Sequence, residues 1–323
     1  MIVHWGLESL PHAAAEAGVS APFLVAGPRW DGLELPIEPA SRWREVPSER
    51  VVEAVGAARD TDGVLAVGGG STIDLGKAIS AAAGLPLVSV PTTYAGAEWT
   101  SYFGVRDPER RMRGGGGGAH PTAVVYEPRL TLDLPAETSV GTAMNALAHC
   151  AEALYAKGHN AAADEHALAG ARLVSDWLPR VVAAPRDLEA RTELLRGACN
   201  GGAALAGSML ALAHAMAQAI GGRYGLPHGT LNGICLPPVL RFNTVFAPDA
   251  VTRFGEAVGD PGDPAGRVEA LAGLAGPTRL RDLGVPEGDL PGLAADAAGR
   301  GGNLANPKPA SPDEIALLLR EIY

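Results

Sequence analysis

The sequence predicts an α/β domain with a mostly parallel sheet over residues 1–135, followed by an all-helical domain over residues 136–323. Two observations predict this division. In the first part, short apolar runs that end in Gly or Pro alternate with helical stretches, as in parallel strands joined by crossover helices. In the second part, long Ala-rich helical stretches dominate and β-branched runs are few. The chain of 323 residues also exceeds the length at which a single core usually stops growing.

The individual elements follow from the same patterns. Strands are predicted at residues 21–27, 64–67, 85–90 and 123–126, and an edge strand that could pair across a two-fold axis is predicted near residues 1–6. Helices are predicted at residues 139–157, 161–183 and 188–221, and residues 258–310, rich in Gly and Pro, are expected to form short helices joined by loops. The glycine run 114–118 is expected to be a flexible hairpin tip.

Composition and charge exclude several classes of function. The formal net charge of −10 argues against a nucleic-acid partner, because phosphate backbones require a basic face. The three cysteines, Cys150, Cys199 and Cys235, show neither a metal-binding spacing nor a disulfide framework, and we expect buried reduced thiols. The first residues do not resemble a signal peptide, and no apolar stretch is long enough to span a membrane. We therefore expect a soluble, cytoplasmic protein.

The strongest motif is the glycine loop Gly68-Gly69-Gly70-Ser71-Thr72, which an apolar strand enters and an amphipathic helix leaves. Glycine allows the backbone to approach a ligand, and the start of a helix offers unpaired N–H groups to a phosphate. The next predicted strand ends in Thr92-Thr93, followed by Tyr94. Because ligands of open α/β sheets bind at the carboxyl ends of the strands, both loops are predicted to line one dinucleotide-binding groove.

A third set of candidate residues lies in the helical part. Asn145 and His149 are four residues apart, so they share one face of a helix, and His214 and Gln218 have the same spacing. His228 follows in a Gly-Leu-Pro-His-Gly turn. Imidazoles supply both metal ligands and proton donors, so the three histidines indicate a site of one of these two kinds.

Taken together, these motifs resemble the iron-containing alcohol dehydrogenase superfamily, which includes dehydroquinate-synthase-like enzymes, and within it the maleylacetate reductase branch. The matching stretches are GGGSTIDLGKAIS (68–80), PTTYAGAEWT (91–100), AVVYEPRLTLDLP (123–135), MNALAHCAEALYA (144–156), HAMAQAIGGRYGLPHG (214–229) and NPKP (306–309). The resemblance implies a nucleotide-binding domain, a helical domain and an active site between them. It implies that Gly69, Gly70 and Ser71 hold the pyrophosphate of NAD(H) or NADP(H) and that Thr92 and Thr93 line the same groove. Asp74 is expected to be a further cofactor-binding residue.

The resemblance also bears on metal binding. Alcohol dehydrogenases of this family hold a divalent ion with one Asp and three His; here Asn145 occupies the Asp position, whereas His149, His214 and His228 fill the others. An amide oxygen contributes only a dipole to a hard cation, where a carboxylate contributes a full charge. We therefore favour a metal-free site, with His149, His214 and His228 as the ligands if a metal binds. The expected catalytic residues are the same three histidines with Asn145 and Tyr94.

The leading interpretation is an NAD(P)H-dependent reductase of a small carbonyl or enone acid, forming a homodimer. Arg106, Arg110 and Arg223 are candidates for binding substrate carboxylates. One alternative is a non-redox lyase, dehydratase or cyclase. It is suggested by Gln218 at a usual histidine position, by the glycine run 114–118, and by the lack of an acid directly after the strand predicted at 21–27. At that place Arg29 could instead meet the 2′-phosphate of NADP(H). The other alternative is a metal-dependent alcohol dehydrogenase.

Overall fold

The computed structural model describes residues 1–105, 113–114 and 116–323. The chain divides into two compact units, Met1–Thr131 and Leu132–Tyr323. The sequence predicts the change from α/β to helical texture after residue 135. Arg106, Arg110 and the residue Gly115 of the glycine run 114–118 lie outside the described residues.

Unit 1 contains a six-stranded parallel sheet in the order β1-β8-β5-β4-β2-β3. The strands are β1 (Ile2–Trp5), β2 (Phe23–Val25), β3 (Ser41–Trp43), β4 (Val64–Gly68), β5 (Pro86–Pro91) and β8 (His120–Tyr126). A separate antiparallel pair is formed by β6 (Gly104–Val105) and β7 (Arg113–Gly114). The predicted parallel sheet is confirmed, and β1 lies at its edge. The strand β3 and the pair β6–β7 were not predicted.

Three helices cover both faces of this sheet: α1 (Leu10–Glu16), α2 (Val51–Ala57) and α3 (Gly70–Ala83). Alternate residues of β4 point to opposite faces. Leu65 and Val67 belong to the core cluster that contains α1 residues, whereas Val64 and Ala66 belong to the cluster with residues of α2 and α3. Burial on both faces explains why the central strands read as continuous apolar runs rather than as alternating patterns.

Unit 2, all of whose residues are described, consists of helices and their connections. The helices are α4 (Ala136–Tyr155), α5 (Ala161–Ala183), α6 (Leu188–Ala206), α7 (Leu212–Tyr224), α8 (His228–Phe246), α9 (Pro248–Val258), α10 (Pro264–Ala272), α11 (Leu290–Ala298), α12 (Gly301–Ala305) and α13 (Pro312–Glu321). The helix α4 packs against α5, α6 and α8 and is buried over most of its length. The helical second part and the short helices of residues 258–310 are confirmed.

One predicted helix is wrong in its extent. The stretch 188–221 forms two helices, because α6 ends at Ala206 and α7 begins at Leu212. Gly207 caps α6, and the Ala211 N–H donates a hydrogen bond of 2.6 Å to the Glu152 carboxylate of α4. This tertiary contact fixes the start of α7, which the helical periodicity of the sequence does not reveal.

The cysteines are free thiols, with Cys150 and Cys235 buried and Cys199 partly buried. Burial raises the pKa of Cys150 to about 12, so its thiol stays protonated at neutral pH. None of the helices formed by the described residues has both the length and the apolar character needed to cross a membrane.

Candidate active site

In unit 1, the glycine loop forms the turn between β4 and α3. The strand ends at Gly68, Gly69 occupies the N-cap position and α3 begins at Gly70, with no side chain capping the helix. The first N–H groups of a helix have no partner within the helix, and the helix dipole favours an anion at this end. The loop therefore offers backbone donors to a phosphate, and Ser71 is exposed beside them.

The loop after β5 lies directly against this turn. The Thr92 N–H donates to the Gly68 carbonyl at 3.0 Å. A Cβ added to Gly69 would lie 2.9 Å from Thr93 Cγ2, closer than side chains normally approach. Glycine at position 69 thus lets the two loops pack this closely, and a larger residue would force the Thr93 side chain to move. The structure brings together all the predicted phosphate-binding residues of the two loops at one edge of the sheet, as expected for adjacent parallel strands.

Two further predicted residues of unit 1 have structural contacts. The Asp74 carboxylate lies 3.1 Å from Lys77 Nζ and accepts the Gly104 N–H at 3.1 Å, so it connects α3 to the first residue of β6. Burial raises the pKa of Asp74, opposed by the charge of Lys77. Tyr94 has no exposed surface. The cofactor-binding role of Asp74 and the catalytic role of Tyr94 remain predictions.

A buried polar network that was missed in the sequence lies close to the second loop. Tyr126 donates its hydroxyl to Glu98 Oε1 at 2.6 Å, and the Trp99 indole N–H donates to the Tyr126 oxygen at 2.7 Å. Burial raises the pKa of Glu98. The network joins the segment after Thr93 to β8 and so supports the loop. Only the unusual Glu in an otherwise small and apolar segment could have indicated it.

The segment after β2, where an acidic residue was sought, is a short helical turn from Pro28 to Trp30. Arg29 is exposed, with its guanidinium 5.2 Å from the centre of the Trp30 ring. The first acid of this segment, Asp31, forms ion pairs with Arg42 at 2.8 Å and Arg44 at 3.2 Å. Its carboxylate is already occupied, and the immediate surroundings of the strand end are positively charged.

In unit 2, three helices bring the candidate histidines together. His149 lies on α4, His214 on α7 and His228 at the first position of α8. The rings of His149 and His214 stack with centroids 5.0 Å apart, and those of His214 and His228 are 5.5 Å apart. A Cβ on Gly229 would lie 2.2 Å from the Gly141 carbonyl oxygen, so only glycine permits this close approach of α8 to α4.

The most constrained of these histidines is His214, which is fully buried. Its Nδ1 lies 2.6 Å from the Oε2 atom of Glu152, which has no exposed surface either. The same carboxylate accepts the backbone N–H groups of Ala211 and His214 at 2.6 and 3.1 Å. A carboxylate at this position makes Nδ1 a donor and leaves Nε2 as the reactive nitrogen. In the described structure, His214 Nε2 is buried without a hydrogen-bond partner.

Glu152 was not among the predicted site residues. The sequence does contain a signal for it, since Glu152 follows His149 by three residues on the same face of a helix. An acid within an Ala-rich, otherwise apolar helix requires a partner once the helix is buried, because an unpaired buried charge is costly. The partner, however, lies 62 residues further along the chain.

Asparagines connect the other two histidines. Asn145 Nδ2 lies 3.4 Å from His149 Nε2, while Asn145 Oδ1 accepts a hydrogen bond of 2.5 Å from Asn232 Nδ2. Asn232 Nδ2 also lies 3.1 Å from His228 Nε2. Amide N–H groups therefore face the Nε2 atoms of His149 and His228, and the amide oxygen of Asn145 is itself engaged.

The contacts of the three histidines differ from those of a preformed cation site. The coordinating nitrogens of the three histidines are not all within 4.8 Å of one another. Two Nε2 atoms face amide N–H groups, so their lone pairs are directed at hydrogen bonds rather than at a common centre. A ligand set of three neutral imidazoles and one amide also lacks a charge to offset that of the metal.

Both flanking histidines are neutral at physiological pH. Burial, followed by the charge of His214 and of His228, lowers the pKa of His149 well below its usual 6.5. Desolvation of the imidazole by the surrounding protein, followed by the charge of His214, lowers the pKa of His228 to about 3. The residue as a whole is nevertheless exposed to solvent.

Two more candidates lie on α7. Gln218 is four residues after His214 and is partly buried. Arg223 forms an ion pair of 3.0 Å with Asp289, and its side chain is 48% exposed. Its guanidinium is thus engaged by a carboxylate of the protein itself. The other two proposed carboxylate ligands, Arg106 and Arg110, lie outside the described residues.

A dinucleotide-type glycine loop on a parallel sheet, together with a helical unit that carries a cluster of three histidines, defines an oxidoreductase-like architecture. The chain belongs to the iron-containing alcohol dehydrogenase family. The family model for iron-containing alcohol dehydrogenase matches residues 6–128, and the model for the C-terminal part of the Fe-containing alcohol dehydrogenase family matches residues 139–323.

Within this family, the chain is similar to maleylacetate reductases. It is 39% identical to maleylacetate reductase of Burkholderia cepacia over 262 residues, which cover 81% of this chain and 74% of that protein. The crystal structure of maleylacetate reductase from Rhizobium sp. matches with a TM-score of 0.88 and 31% identity, covering 100% of this chain and 95% of that one. The crystal structure of maleylacetate reductase from Agrobacterium tumefaciens matches with a TM-score of 0.89 and 29% identity, covering 100% of this chain and 95% of that one. The chain is an oxidoreductase of the iron-containing alcohol dehydrogenase family.

Proposed function

We propose that the chain is an NAD(P)H-dependent reductase of maleylacetate or a closely related enone acid, and that His214, positioned by Glu152, supplies the proton. The observation that carries the proposal is the fully buried contact of 2.6 Å between His214 Nδ1 and Glu152 Oε2, with His214 Nε2 left without a partner in the described structure. The similarity to maleylacetate reductases supports the substrate class.

The residues of unit 1 fit a dinucleotide. A Cβ would fill the space at Gly69, the N-terminus of α3 has no side-chain cap, and Thr93 lies beside both. These groups would hold the pyrophosphate, and Asp74 would keep the neighbouring segment in place through Gly104. When bound, a reduced nicotinamide supplies a hydride.

The residues of unit 2 complete the reduction. In an enone acid, addition of hydride to the carbon β to the ketone breaks the C=C π bond and leaves an enolate. The enolate requires one proton, which His214 delivers from Nε2 while Glu152 stabilises the imidazolium through Nδ1. Water then reprotonates the imidazole. His149 and Asn145, both neutral, fix the orientation of the stacked ring without competing for the proton.

The proposed reaction requires no metal, in keeping with the hydrogen bonds that engage the Nε2 atoms of His149 and His228. Polarisation of the carbonyl comes instead from the protonated His214. This distinguishes the proposed activity from that of a metal-dependent alcohol dehydrogenase, in which a cation would have to replace the amide contacts of Asn145 and Asn232.

The test combines binding and turnover. NADH and NADPH are titrated into chelator-treated protein and followed by nucleotide fluorescence; oxidation of the tighter-binding cofactor is then measured with maleylacetate. We expect saturable binding and turnover that continues in the presence of chelator. Absence of binding of either nucleotide at about millimolar concentration, the upper end of common KM values, would refute the proposal.

Two variants serve as a matched pair. Gly69→Ala places a methyl group against Thr93 and is expected to weaken nucleotide binding by about tenfold, equivalent to about 1.4 kcal/mol. Gly288→Ala adds the same methyl group where nothing lies within 4 Å and is expected to bind nucleotide as the wild type does. Equal affinities of the two variants would exclude the glycine loop as the phosphate site.

A further inference from the structure

A second group of potential ligands lies in unit 1, apart from the glycine loop. His4 belongs to β1, which lies at the edge of the described sheet and pairs with β8. His12 and Glu16 are one turn apart on α1, a spacing that places both on the same face of that helix. We call these three residues the His4–His12–Glu16 cluster. Nothing in the proposed reaction uses it.

The geometry of the cluster is convergent. Glu16 Oε2 lies 2.7 Å from His4 Nε2 and 3.7 Å from His12 Nε2. One ligand atom from each residue lies within 4.8 Å of the other two, and among the described residues no other three His, Cys, Asp or Glu side chains meet this criterion. The histidine rings are 5.3 Å apart at 79°, so they do not stack on each other. Both Nε2 atoms are directed at the same carboxylate.

We propose that His4, His12 and Glu16 bind a Zn²⁺ ion. Two imidazole nitrogens and one carboxylate oxygen form a common protein ligand set for zinc, with a fourth position left for water. With bonds of 2.0–2.2 Å, the ligand atoms around a tetrahedral ion are about 3.5 Å apart, so small rotations of the exposed side chains bring the cluster to that spacing. The carboxylate supplies the negative charge that the catalytic histidine cluster lacks.

The bound ion would have a structural effect. His4 is at the edge of the sheet, and α1 packs on one face of the same sheet through Leu10, Ala13 and Ala14. A Zn²⁺ ion joins the edge strand to α1 and therefore stabilises the folded state by an amount that grows with the logarithm of the free Zn²⁺ concentration above its Kd. The three side chains are 22%, 69% and 40% exposed for His4, His12 and Glu16, so the ion can enter from solvent.

The experiment is a Zn²⁺ titration of the chelator-treated full chain, measured by competition with a chromophoric chelator and by the shift in Tm. We expect the protein to bind at least one equivalent of Zn²⁺. The dissociation constant of this ion is expected to rise at least about tenfold in His12→Ala and in Glu16→Gln. Two matched controls keep this equivalent unchanged: His166→Ala, an exposed histidine that contacts Asn200, and His214→Ala in the catalytic cluster.

The outcomes are distinguishable. Because His12 is 69% exposed, His12→Ala is expected to keep the wild-type Tm in the absence of zinc, so a change in affinity does not reflect misfolding. If His12→Ala and Glu16→Gln bind Zn²⁺ as tightly as the wild type, the three residues form only an ion pair and the proposal is wrong. If His214→Ala alone loses the equivalent, the ion belongs to the catalytic cluster, and the proposal is wrong as well.

Discussion

The carboxylate of Glu152 and the imidazole of His214 form a fully buried pair with 2.6 Å between Oε2 and Nδ1. The same carboxylate also accepts the two backbone N–H groups at the beginning of α7. One residue therefore sets both the position of the helix and the tautomer of its histidine.

The substitution Glu152→Gln tests whether the pair acts in catalysis. It preserves the shape of the side chain but removes the charge that stabilises the imidazolium of His214, so we expect kcat to fall at least about 100-fold with little change in KM. Steady-state kinetics measure this, and Tm reports any loss of stability. His214→Gln is measured alone and in combination with Glu152→Gln. The double variant should lower kcat no further than the more severe of the two single variants. Wild-type kcat in a folded Glu152→Gln variant contradicts the assigned role.

Asn145→Asp tests why the catalytic cluster does not suit a metal. The added carboxylate supplies a charge and removes the amide N–H that faces His149, while Asn232 still donates to the remaining oxygen. We expect affinity for Zn²⁺ to increase at least about tenfold. The measurement is best made in a His12→Ala background, which removes the other proposed ion. Unchanged affinity would show that the histidines themselves are unable to converge.

The buried imidazole of His149 predicts a loss of stability in acid. Because burial lowers its pKa well below 6.5, the unfolded chain binds a proton below about pH 6.5 that the folded chain does not. The stability that the neutral His149 contributes is fully present above that pH. Below it, the unfolding free energy decreases by up to about 1.4 kcal/mol per pH unit. Urea denaturation at several pH values, with chelator present, measures the slope. We expect His149→Gln to reduce this slope and His166→Ala to leave it unchanged. Equal slopes in the wild type and both variants would show that His149 is not the source of the acid instability.

Tyr126→Phe tests the network that supports the loop after β5. The substitution leaves Glu98 Oε1 and the Trp99 indole N–H without this hydroxyl in a buried environment, which we expect to cost about 1–3 kcal/mol of unfolding free energy. Urea denaturation gives the value. Tyr102→Phe is the control, since Tyr102 is 73% exposed and its hydroxyl is not expected to contribute. Equal stabilities would mean that the network is not structurally important.

Much of this protein can be predicted from its sequence. The apolar runs that enter Gly68 and Pro91 predict adjacent parallel strands, and their loops therefore meet at one sheet edge. The positions of His149, His214 and His228 within recognisable motifs predict a shared cluster and the family itself. These features are local, or are repeated in the family's order, so periodicity and motif spacing are sufficient to find them.

Other features depend on contacts between distant residues. The break between α6 and α7 is fixed by Glu152, far away in the chain, and the tautomer of His214 follows from the same contact. The engagement of Asn145 by Asn232 required α4 and α8 to be placed side by side. The His4–His12–Glu16 cluster also required the packing of α1 on the sheet. Hydrogen bonds and charge pairing act over a few ångströms in space, whereas sequence patterns report only neighbours along the chain. The sequence by itself therefore determined the fold and the candidate residues, and the tertiary structure decided which partner each residue faces.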